Sequence, residues 1–146
     1  MRSSKSYRYS VGLALILACT AARAQDVIVV ANQNVSISQV SPTEVRDLFT
    51  GVRSRFSDGS RAVPVTLRGG PAHEVFLMKY VGDNPNEFRA RWRKAVFTGQ
   101  GSMLKECSSE SAVLEYVAAT PGAIGYVSRV TAGDSVKVLA VRNSSH

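Results

Sequence analysis

The segment Thr120-Pro121-Gly122-Ala123-Ile124-Gly125-Tyr126-Val127 constrains the fold more than any other part of the chain. Proline cannot continue a helix, and glycine accepts the left-handed turn that follows one, so Pro121 and Gly122 mark a helix stop. Ala123, Ile124, Tyr126 and Val127 then read as a short buried strand, with Gly125 where a neighbouring element comes close. A helix that stops on Pro-Gly and turns straight into an apolar strand belongs to an α/β protein.

The rest of the chain supplies the partners. Asp26 to Ala31 is a continuous apolar run, expected of a strand covered on both faces. Asn32 to Val40 reads as a polar connector. Ser41-Pro42-Thr43-Glu44 predicts a helix start with Ser41 as N-cap and Glu44 closing a capping box, and Gly51 ends that helix. A turn at Ser57–Ser60 precedes a second apolar strand, Ala62 to Leu67. Gly69-Gly70-Pro71 opens the next helix, with Val75, Phe76, Leu77 and Met78 as buried positions before Gly82. Asn84-Pro85-Asn86-Glu87 repeats the cap signature, and Phe88, Trp92, Ala95 and Val96 form that helix's inner face. A helix from about Ser109 to Ala119 turns Val113, Tyr116 and Val117 inward. Strands Ala123–Ser128 and Val136–Val141 close the chain. The order β-α-β-α-α-α-β-β predicts an α/β fold with helices on a short mixed sheet.

The N-terminus reads as a secretory signal. Arg2, Lys5 and Arg8 precede an apolar core, Val11 to Ala22, that is too short to span a bilayer. Ala22-Arg23-Ala24 fits the small-x-small cleavage rule, which makes residues 1–24 a signal peptide and residues 25–146 one exported domain. Acylation at Cys19 is the minor alternative, disfavoured by bulky Leu17. The full chain has 18 basic and 11 acidic residues. Four of the basic ones fall within the signal, leaving 14 against 11, a balance of only +3. That mild charge gives no footing for nucleic acid. Cleavage would also leave Cys107 alone, so no internal disulfide is expected.

Candidate chemistry is sparse. Arg68-Gly69-Gly70-Pro71 carries a strand into a helix N-terminus, where free N–H groups and the positive dipole end attract an anion. Arg68 can contact an oxyanion bidentately, and the two glycines allow close approach. The plain alternative is a tight turn, with Arg68 solvated or paired to Asp58. His73, in the first turn, is a further anion contact or a solvated surface histidine. In Arg89-Ala90-Arg91-Trp92-Arg93-Lys94, helical spacing puts Trp92 with Phe88 and Val96, leaving the charges on a solvated face. Thr98 to Ser102 reads as an interhelical loop. No nucleophile–base pairing, Gly-x-Ser-x-Gly elbow or metal-ligand spacing occurs, and the second histidine is His146, so neither an enzyme nor a cofactor is expected.

The Pro-Gly-Ala-Ile-Gly-Tyr segment resembles one in the phosphate-binding proteins of bacterial ABC importers, the type II periplasmic binding proteins. Val45 to Gly51, the turn Arg55-Phe56-Ser57-Asp58-Gly59 and the strand Val63 to Arg68 follow in the same order as that family's motifs. The likeness runs from about Val27 to Val130. It implies a single lobe of a two-lobed binding protein, because the family's first-lobe glycine-rich loop has no counterpart here. In the second-lobe loop the family reads close to Arg-Ser-Asp-Gly-Ser-Gly-Thr, whereas this chain has Arg68-Gly69-Gly70-Pro71-Ala72-His73-Glu74. The arginine matches and the hydroxyl donors do not, which implies weak binding of phosphate or a similar oxyanion through Arg68, Gly69, Gly70 and His73. The alternative is a cell-envelope interaction module derived from one such lobe, partnered by another protein, a second lobe or a second copy. Either reading places the chain in the periplasm without a transmembrane segment.

Overall fold

The computed structural model describes residues 26–101, 104–131 and 133–143. The segment expected to be a signal peptide, its expected cleavage site and His146 lie outside the described residues.

Six strands form one mixed sheet. They are β1 (Ile28–Ala31), β2 (Gln39–Val40), β3 (Val63–Leu67), β4 (Lys105–Cys107), β5 (Ala123–Val127) and β6 (Lys137–Val141). Their spatial order is β2-β6-β1-β5-β3-β4. β1 pairs antiparallel with β5 and β6, while β3 runs parallel to both β4 and β5. The helices are α1 (Pro42–Phe49), α2 (Pro71–Phe76), α3 (Pro85–Phe97) and α4 (Glu110–Ala119).

The pleat of β5 explains the layering, since successive residues face opposite sides of the sheet. On one side, a Cβ at Gly125 would sit 2.9 Å from Val113 Cγ1 and 3.2 Å from Val117 Cγ2. Glycine there lets α4 lie close on the strand. On the other side, the Tyr126 ring stacks on Phe76 at 3.8 Å between centroids and meets Phe49 edge-on at 5.8 Å. The sheet is thereby covered by α4 on one face and by α1 and α2 on the other. Pro121 and Gly122 end α4 as expected, with Gly122 at φ +77° and its N–H donating to Asn34 Oδ1.

Four sequence expectations are corrected. The Asn32–Val40 connector ends in β2, and the stretch after the Thr98–Ser102 loop contains β4. Strands of two and three residues are too short to show a periodic pattern. In α1, Ser41 Oγ accepts from Glu44 N as predicted, but the Glu44 carboxylate turns away to accept from Ser57 N at 2.8 Å, so the box is half-made. The capping box at Asn84 and Glu87 is complete. Finally, α2 continues into a π-helical turn, Leu77–Val81, where Gly82 N donates to Leu77 O at 2.7 Å. Four consecutive residues, Val75 to Met78, cannot share one face of a helix. Leu77 stays buried, and Met78, expected inside, is 82% exposed.

Candidate anion site at the end of strand β3

β3 and β4 are parallel and end side by side, with Leu67 opposite Cys107. β5, also parallel to β3, ends at the same edge. The loops leaving these three strands therefore gather at one edge of the sheet: Arg68–Gly70 into α2, Ser108–Ser109 into α4, and Ser128 beyond β5. A crevice beyond the carboxyl ends of strands is where α/β proteins place their ligands.

The Arg68–Gly70 loop has an open face. Gly70 adopts φ +95° and ψ 172°, a conformation that side chains rarely take, and a Cβ at Gly69 or Gly70 would meet nothing within 4 Å. The hydrogen bonds that fasten the loop come from its flanks. Arg68 N donates to Cys107 O at 2.9 Å and Glu74 N to Gly70 O at 3.1 Å, and neither bond uses the N–H of Gly69 or Gly70.

Beneath the loop lies a buried polar network. The Tyr126 hydroxyl accepts from Leu67 N at 3.1 Å, and it bonds with Thr66 Oγ1 at 2.7 Å and His73 Nδ1 at 2.5 Å. Burial drives the Tyr126 pKa up to about 12, so the phenol stays protonated. Burial also lowers the pKa of His73, helped by the positive charge of Arg89 and opposed by Glu106 and Glu74. The imidazole is therefore neutral near pH 7. His73 is 3% exposed, in contrast to the solvated reading of the sequence. Its Nδ1 is taken by Tyr126, which leaves only Nε2 for an anion. Among the described residues no buried side-chain nitrogen or oxygen lacks a partner.

Charge surrounds the loop. The exposed Arg68 guanidinium pairs loosely with Glu106, Nε to Oε2 at 3.8 Å, rather than with Asp58. Asp58 is instead occupied by Ser60, whose N–H and Oγ reach it at 2.9 and 2.6 Å. Arg89 Nη2 lies 3.5 Å from Arg68 O, a long contact that brings a second guanidinium to the site. The structure thus gathers Arg68, Gly69 and Gly70 at the surface, sets His73 just beneath them, and adds Arg89, Glu106 and Tyr126. Nothing local in the sequence assigns these last three to the site. A tyrosine rather than a phenylalanine in a fully buried strand was the available signal, since its hydroxyl must find partners.

The other sequence candidates have local explanations. Trp92 Nε1 donates to Phe49 O at 2.9 Å and so caps the end of α1. Arg91 grips Asp83 with two bonds of 2.9 Å. Thr98, Gly99 and Gln100 close back onto carbonyls of α3. Cys107 is buried and unpaired, and burial raises its thiol pKa, the signature of an unreactive cysteine. A polar groove of about 730 Å³ lies at the opposite, β2–β6 edge, lined by Ser41, Glu44, Ser57 and Arg142 among others. Among the described residues, no group of three His, Cys, Asp or Glu side chains could hold a metal, and no helix is long and apolar enough to cross a membrane.

No protein-family model and no curated protein sequence matches the chain. Solved structures do. A candidate phosphate ABC transporter substrate-binding protein from Clostridium perfringens, solved with bound phosphate, aligns with a TM-score of 0.62 at 18% identity, over 79% of this chain and 44% of that one. PstS from Borrelia burgdorferi aligns with a TM-score of 0.58 at 14% identity, over 82% of this chain and 48% of that one. The chain spans less than half the length of these structures. It therefore has the fold of one α/β lobe of a phosphate-type periplasmic binding protein, as the resemblance of its motifs implied.

Proposed function

We propose that this chain is an exported, single-lobe relative of the phosphate ABC transporter substrate-binding proteins, and that it binds a small oxyanion weakly at Arg68–Gly70. The carrying observation is the open strand-to-helix loop at the end of β3, on a fold shared with a phosphate-bound structure. Gly69 and Gly70 offer backbone N–H groups, Arg68 a movable guanidinium, and His73 Nε2 a neutral secondary contact. Leu67, held by Tyr126, keeps the loop in place before any ligand arrives, which reduces the ordering cost of binding.

Two features keep the affinity low. Glu106 competes for Arg68, so an incoming anion must displace an existing pair. One lobe by itself does not enclose a ligand as a closing pair does, so affinity is expected to rise wherever a second lobe or copy supplies the other wall. On this reading residues 1–24 are the export signal, the periplasm is the address, and the chain has no catalytic step. The charged surroundings of Arg68 favour an anion over an apolar protein partner at this edge.

Calorimetric titration of the purified protein with phosphate and sulfate at low ionic strength tests the reading. Saturable heat that disappears in Arg68→Ala supports it. Absence of heat with either anion, or heat unchanged by the substitution, overturns it.

A further inference from the structure

A second concave surface lies between α3 and the β4 edge, with a volume of about 650 Å³. Its floor is apolar: Phe88, Trp92 and Val96 from α3, Leu104 before β4, and Tyr116 from α4. Its rim is basic. Arg89 and Arg93 stand one helical turn apart on α3, and Lys105 stands on β4 with its Nζ 5.1 Å from the Tyr116 ring centroid. None of these three cations is held in an ion pair among the described residues. The single carboxylate in the lining, Glu106, is drawn toward Arg68.

The groove is built from anchored elements. α3 starts from a full capping box and is pinned to α1 through Trp92 Nε1. Its volume lies in the range of small-molecule sites, roughly 300–1,000 Å³. The combination of floor and rim restricts what fits. A bare inorganic oxyanion would leave the apolar floor in water, and a neutral apolar molecule would bury that floor beside three cations with no counter-charge. Burying apolar area and pairing a guanidinium are both satisfied only by a molecule that carries both parts.

We infer that the α3–β4 groove binds an amphipathic organic anion, whose aromatic or branched aliphatic body lies on Trp92 and Tyr116 and whose sulfonate, phosphate or carboxylate head is held by Arg89 and Arg93. Arg89 borders both this groove and the Arg68–Gly70 loop, whereas Arg93, Lys105 and the apolar floor belong to the groove alone.

Trp92 is the only tryptophan in the sequence, so its emission reports the groove directly. The full chain is titrated at low salt with the aromatic sulfonate 8-anilinonaphthalene-1-sulfonate and, in parallel, with uncharged N-phenyl-1-naphthylamine. The expected result is saturable binding of the sulfonate with quenching of Trp92, and binding of the neutral dye that is weaker by about tenfold. An Arg89→Gln/Arg93→Gln variant should lose about tenfold in sulfonate affinity and leave the neutral dye unchanged, while Tyr116→Ala weakens both. Equimolar inorganic phosphate, which has no apolar body to lie on Trp92 and Tyr116, should not displace the sulfonate, so this outcome is separable from phosphate binding at the loop. Equal affinity for the two dyes, sulfonate affinity unaffected by the double substitution, or displacement by equimolar inorganic phosphate would each overturn the inference.

Discussion

Strand β5 and the α3–β4 flank show two ways of using apolar residues. β5 is buried along its whole length, and its pleat fastens a helix to each face: α4 against Gly125, α1 and α2 against Tyr126. At the flank, only Phe88 of the apolar residues on α3 is fully buried. Trp92 is half-buried, and Phe97 is 93% exposed. β4 is a three-residue edge strand with exposed Lys105 and Glu106, the charged termination that keeps an edge from pairing with other chains. Rigidity and access thus reside in different regions of the molecule. The centre holds the fold, and the loop at Arg68 is tied to it by Tyr126, which bonds Leu67 N before the loop and His73 after it. The flank leaves surface open to solvent and to ligands.

Substitutions at the centre should therefore cost far more than those at the flank. Phe76→Ala removes the ring stacked on Tyr126 from a fully buried position and should destabilise by about 3–5 kcal/mol, read by chemical denaturation. A cost near that of a surface change would break the comparison. Tyr126→Phe keeps the ring but strands Leu67 N and His73 Nδ1 and leaves Thr66 with only its longer bond to Leu67 O, so about 1–3 kcal/mol should be lost. The same variant should weaken oxyanion binding, because the loop loses its anchor.

The next effect is on pH. The unfolded chain protonates His73 near the ordinary value of 6.5, while the buried imidazole resists protonation. Its contribution to stability is thus complete above 6.5 and is lost as pH falls below that value toward the lowered folded pKa. The thermal midpoint should drop between pH 7 and pH 5, and His73→Gln should flatten that slope. An equal slope in both proteins would remove His73 from the account. Smallest of all, Phe97→Ser should change stability by no more than about 0.5 kcal/mol.

What the sequence disclosed follows the same division. The apolar runs at Asp26–Ala31, Ala62–Leu67 and Ala123–Ser128 are long enough to announce strands, and the caps at Ser41 and Asn84 announce helices. β2 and β4 were hidden because so few residues carry no period. The π-helical turn was hidden because a 3.6-residue pattern gives no sign of one extra residue in a turn, and Met78 was misplaced because four consecutive residues span about 300° of a helix and cannot all face inward. At the candidate site, Arg68, Gly69 and Gly70 were legible because the turn chemistry is local. The His73–Tyr126 bond joins residues 53 apart in sequence, and the approach of Glu106 to Arg68 depends on β4 pairing with β3. Such contacts exist only once the sheet has formed.

The most direct measurement is an amide NMR titration of the purified protein with phosphate at low salt. The central claim is that an oxyanion meets the backbone at the end of β3. It predicts saturable shifts that are largest at the Gly69 and Gly70 amides and absent in Arg68→Ala. Shifts centred on the β2–β6 groove, or none at Gly69 and Gly70, would contradict it.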